Sequence, residues 1–169
     1  TYLPGTDVSK ATTNGAISIR VLESGPLVAS LEVTSSAPGC ESLRRVYRVV
    51  EGLDGVEIVD TLDKKRVREK EGIHIGFDFG VPKGQVRMET PWAVVRPDLD
   101  QIPGANRNWY TVTRWADVSN EKAGVTWCTP DVPLMEVGGL TANILGGAGN
   151  PELWMDRAIA SQTLYSWAL

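Results

Sequence analysis

Apolar and polar residues alternate along most of this chain. Leu27, Ala29, Leu31 and Val33 interleave with Val28, Ser30, Glu32 and Thr34, and Ile73, Ile75, Phe77 and Phe79 interleave with His74, Gly76, Asp78 and Gly80. Successive side chains of an extended backbone point to opposite faces, so each run predicts a strand with one buried face. The same reading predicts strands at Ala16 to Leu22, Ser42 to Val50, Val56 to Leu62, Gln85 to Val95, Tyr110 to Val118, Gly124 to Thr129, Leu134 to Val137, Leu140 to Leu145 and Gln162 to Ala168. That amounts to about ten or eleven strands at close spacing.

Turn formers fall between these runs: Ser24-Gly25-Pro26, Ala37-Pro38-Gly39, Gly52 to Gly55, Pro82-Lys83-Gly84 and Ser119-Asn120. Each supplies a preset φ, a tolerated positive φ or a side-chain hydrogen bond to its own backbone. Only Gly146 to Ala160 breaks the pattern, either as an inserted loop or with Asn150-Pro151 starting a short helix. No repeat and no linker divides the chain. Residues 1–169 are therefore expected to form a single all-β domain, a large antiparallel β-sandwich.

Composition narrows the function classes. The 169 residues, 42% hydrophobic and 22% charged, suit one globular domain with a sizeable core. No segment approaches the roughly 20 apolar residues of a membrane span, and TYLPGTDVSK at the start lacks the basic and apolar regions of a signal peptide. A net charge of −4 argues against nucleic acid and anionic membrane as partners, since both reward a concentrated positive surface. The one basic cluster, Lys64, Lys65, Arg66, Arg68 and Lys70, is interleaved with Asp60, Asp63, Glu69 and Glu71 and reads as a solvated hairpin or edge strand. Cys40 and Cys128 have no metal-ligand spacing; the sequence leaves their pairing open and favours two free thiols over a disulfide, since Cys40 follows a turn and Cys128 sits inside an apolar strand.

Candidate chemistry is sparse. The single histidine, His74, falls on the polar side of its strand and is expected at the surface or just beneath it. No GxSxG, GxxxxGK[ST] or GxGxxG sequence occurs, and one histidine with two scattered cysteines does not suggest a metal centre. A glycosidase needs only two carboxyl groups, and Asp98 and Asp100 lie on one side of an extended segment, although aspartates there also suit a turn.

The most distinctive stretch is QIPGANRNWYTVTRWADVS, Gln101 to Ser119: a Pro-Gly turn, then Asn106, Arg107, Asn108 and Trp109, then alternating residues. Asn, Arg, Trp and Tyr supply the directed hydrogen bonds and flat apolar faces that grip sugars. Six tryptophans against two phenylalanines strengthen that reading, although strand spacing assigns two or three of the indoles to packing.

Three long phrases, Glu23 to Phe79, Gln85 to Trp127 and SQTLYSWAL from Ser161 to Leu169, resemble the C-terminal β-domain of the α-mannosidase-like enzymes of glycoside hydrolase family 38. The resemblance is collinear and covers most of the chain. It implies a sandwich of the galactose-mutarotase-like type that follows an N-terminal catalytic barrel carrying the zinc ion and the aspartate nucleophile. On that implication the chain is a fragment that lacks the catalytic and zinc-binding residues, needs no cofactor of its own, and has two partners: the catalytic domain of the same polypeptide and a mannose-containing carbohydrate. No catalytic residue carries over. Asn106, Arg107 and Trp109 are the candidates for ligand or interdomain contact, with loop-ordering hydrogen bonds as the competing role. The alternatives are an autonomous carbohydrate-binding module and a mutarotase-like enzyme with His74 as its acid.

Overall fold

A computed structural model describes residues 11–68, 71–97, 99–107, 109–140 and 161–168. The helix start expected at Asn150-Pro151, the strand expected at Leu140 to Leu145 from residue 141 onward, and Asp98, Asn108 and Trp154 lie outside the described residues. The described residues form twelve strands and no helix, all paired antiparallel in three four-stranded sheets. The backbone groups into two compact units, Ala11–Glu69 and Lys70–Leu169.

The first unit is one meander of β1 (Ile17–Ser24), β2 (Val28–Ser35), β3 (Cys40–Val50) and β4 (Glu57–Lys64). Its turns fall where the sequence places them, at Ser24-Gly25-Pro26, Ala37 to Gly39 and Gly52 to Gly55, with Gly39 and Gly52 at positive φ. Register puts Ile17, Ile19 and Val21 of β1 beside Leu31 and Val33 of β2, and these beside Tyr47, Val49 and Ile58 on the same face.

This apolar face is open, contrary to the expectation that the Leu27 to Val33 side is the buried one. Ile17, Ile19 and Val21 are 57%, 59% and 61% exposed, and Leu27, Leu31, Val49 and Ile58 are exposed as well. The opposite face buries polar groups instead. Ser30 and Glu32 are covered because Arg20 and Arg44 lie across Glu32 and ion-pair with it, and Ser30 donates to Glu23 at 2.7 Å. Long arginine side chains cover a strand as effectively as hydrocarbon does. The Arg44 hydrogen bond, then that of Arg20, outweighs desolvation and holds the Glu32 carboxyl below its ordinary pKa.

The second unit is a two-sheet sandwich. One sheet runs β10 (Gly124–Cys128), β9 (Trp115–Ser119), β6 (Gln85–Thr90), β7 (Ala93–Val95), and the other β5 (His74–Phe77), β12 (Leu164–Trp167), β11 (Leu134–Val137), β8 (Tyr110–Thr111). Val86, Met88, Ala116 and Val118 from the first sheet meet Tyr110, Met135, Val137 and Leu164 from the second in one core, against which Phe79, Val95 and Trp127 pack.

Two expected strands are each divided. Gln85 to Val95 turns back at Pro91-Trp92, making β6 and β7 a hairpin. Tyr110 to Val118 changes sheets near Thr113: β8 pairs with β11, whereas β9 pairs with β6 and β10. Alternation survives that crossing, since Tyr110 and Val112 on one side of it and Ala116 and Val118 on the other enter the same core. Both cysteines are free, Cys40 buried and Cys128 exposed.

Candidate functional site

Alternation sorts the β5–β12–β11–β8 sheet into two faces. Ile75, Leu164, Ser166, Met135, Val137 and Tyr110 lie on one, the core side, and His74, Trp167, Tyr165, Glu136 and Trp109 fall on the other. On that second face the imidazole of His74 lies parallel to Trp167, 8° between planes and 5.9 Å between centroids, and 5.9 Å from Trp109. The two indoles pack together at 4.4 Å. His74 Nε2 stands 3.1 Å from Glu136 Oε2, and the Glu136 side chain is wholly buried. Gly76 supplies the clearance beside this cluster, since a Cβ there would sit 3.1 Å from the Tyr165 ring.

His74 is thus not a surface residue: its side chain is 8% exposed. The strand's alternation put it on a polar face, but that face is covered by Trp109 and Trp167, contributed from 35 and 93 residues further along the chain. Trp109, Trp127 and Trp167 pack against other rings, whereas Trp92 is fully exposed.

The loop before β8 carries the candidate residues. Gln101 clamps it: its amide donates to the Asn106 carbonyl at 3.1 Å, and its side-chain oxygen accepts from the Tyr110 hydroxyl at 3.3 Å. Asn106 therefore contributes its backbone to ordering the loop. Arg107 is half-buried, and Trp109 leads into the His74 cluster. Trp109 is brought together with His74, which the sequence offered only as the acid of an alternative enzyme, and with Trp167 and Glu136, which reading the sequence residue by residue did not select. The one signal available was a carboxylate in the middle of an apolar strand, between Met135 and Val137.

Asp100 is engaged elsewhere. Arg96 donates to it from its backbone nitrogen at 2.8 Å, from Nε at 2.9 Å and from Nη2 at 2.6 Å. This fork holds the Asp100 carboxyl down to about 2, from an ordinary 3.8. An acid so strong carries no proton near neutrality and cannot serve as a general acid there. Because the folded-state pKa is depressed, the stability supplied by the clamp is present above 3.8 and is lost as pH falls through about 2. The melting-temperature gap between the chain and its Asp100→Asn variant is expected to stay constant above that window and to close within it.

Among the described residues, no group of three or more His, Cys, Asp and Glu is gathered as a metal site. No family model, curated protein or solved structure matches the chain.

Proposed function

We propose that this chain is a non-catalytic accessory domain of an α-mannosidase-like retaining glycoside hydrolase. In this reading its sheets belong to a galactose-mutarotase-like sandwich that supports the catalytic domain of the same polypeptide. The loop bearing Asn106, Arg107 and Trp109 then lies toward a mannoside bound by that domain, which carries the zinc and the nucleophile. The observation that carries the proposal is the open apolar face of the β1–β4 sheet. Burying one such aliphatic side chain contributes about 1.5–3 kcal/mol, so leaving Ile17, Ile19, Val21 and Leu31 in water is costly unless another surface covers them. The long collinear phrases are the second support.

The approach of His74 to Glu136 favours one rival, a mutarotase-like acid–base enzyme. Geometry weighs against it. An acid and a base acting on a sugar must both reach its oxygens, yet at 3.1 Å these two groups leave no room for an atom between them, and Glu136 has no solvent access.

Two assays separate the readings. The chain alone is expected to leave both aryl α-mannoside hydrolysis and the interconversion of sugar anomers at the buffer rate, while the native polypeptide carrying it hydrolyses the mannoside with retention. Turnover by the chain alone that disappears in His74→Ala would establish the rival.

A further inference from the structure

The β6–β7 hairpin ends in a side chain that contributes nothing to the fold. Thr90 pairs with Ala93, leaving Pro91-Trp92 as a two-residue connection. Pro91 fixes its own φ near about −65°, and Trp92 takes φ +66°, the sign pattern of a type II turn. That third position calls for glycine, and a bulky side chain in the left-handed region is strained. Strain of this kind is normally offset by packing. Here the indole is completely exposed, at 105% of its reference area.

We propose that Trp92 is a docking anchor for a protein surface that offers an apolar pocket of indole width. Three features select that occupant. A sugar platform needs one ring face backed by the protein and polar groups beside it, but Trp92 has neither face covered, and residues 91–95 are Pro, Trp, Ala, Val and Val. Thr90, at the base of the turn, already donates to the Ala93 carbonyl at 3.3 Å. An anionic membrane needs free cations at the tip, but Arg114 is bound in a fork by Glu89, and Arg96 by Asp100. What remains is a short, neutral, stiff hairpin with an exposed edge-strand valine, Val94, two residues after its tryptophan. That is the composition of a buried interface anchor, because a tryptophan held on a two-residue turn loses little entropy when it enters a pocket.

For the identity of its occupant this inference rests on the accessory-domain reading, under which the pocket belongs to the remainder of the same polypeptide. Hydroxyl-radical footprinting read by mass spectrometry tests it on the 169-residue chain and on the native polypeptide. Trp92 is expected to be the fastest-oxidised of the described tryptophans in the chain alone and to be slowed about tenfold or more in the native polypeptide. Trp92→Gly is expected to leave the melting midpoint of the chain unchanged or raised, and to lower that of the native polypeptide. Equal oxidation in both forms, or a lowered midpoint in the chain alone, overturns the anchor. If Trp92 stays open while Ile19 and Val21 become protected, the accessory reading stands and the anchor falls; if all three stay open, both fall.

Discussion

Leu164→Ala is expected to destabilise the unit from Lys70 onward by about 2–5 kcal/mol. Leu164 is fully buried at the register position shared by Phe77 and Val137, inside the core formed with Met88, Ala116 and Val118. Truncation removes its transfer free energy and leaves a cavity that two paired sheets cannot close without breaking their ladders. Tryptophan fluorescence is the appropriate probe, because all six tryptophans lie at or beyond residue 92. Urea unfolding followed at that signal should move to lower concentration with an unchanged slope. Ile102→Ala serves as the control within the same unit: Ile102 is 76% exposed, and its loss is expected to change stability by no more than about 0.5 kcal/mol. A shift for Leu164→Ala as small as that would mean the sandwich core is misplaced.

His74→Ala is expected to cost about 2–5 kcal/mol, as for other large-to-small changes at a buried site. The substitution removes the imidazole that stands 3.1 Å from the wholly buried Glu136 side chain, and it deletes the ring that stacks on Trp167. The effect combines the space vacated beside the two indoles with the loss of a buried polar neighbour of Glu136. A double-mutant cycle makes that argument testable. His74→Ala combined with Glu136→Ala should be markedly less damaging than the sum of the two single changes, whereas additivity within about 0.5 kcal/mol would deny the coupling.

Alternation along the chain identified most strands and which residues share a face, because period two is a property of the extended backbone itself. It could not identify which face is covered. In β2 the apolar residue Leu31 is exposed, while Ser30 and Glu32 are buried beneath side chains from β1 and β3. Arg20 and Arg44 decide that outcome, and neither adjoins β2 in sequence. The crossing at Thr113 was hidden for a related reason: Tyr110, Val112, Ala116 and Val118 keep one parity while the chain passes from one sheet to the other. Pro91-Trp92 was equally hard to read. A Pro-Trp pair lacks the glycine that marks a type II turn, and only the backbone φ of the folded chain discloses it.

The candidate site was legible in part. Trp109 stood out as an aromatic next to a turn, and Gln101 to Asn106 as a loop, but His74 and Glu136 carried no pairing signal. They lie 62 residues apart and meet only because β12 sits between β5 and β11 in the sheet. Sequence spacing records local geometry, and this cluster is built from non-local strand order.

The proposed accessory role is tested most directly by titrating the 169-residue chain into the catalytic domain that the proposal assigns to the same polypeptide, produced separately, with calorimetric detection. The account expects a one-to-one complex that Ile19→Asp weakens about tenfold or more, with the stability of the chain alone unchanged, since Ile19 is exposed there. Absence of binding, or an Ile19→Asp complex as tight as the wild type, would contradict it.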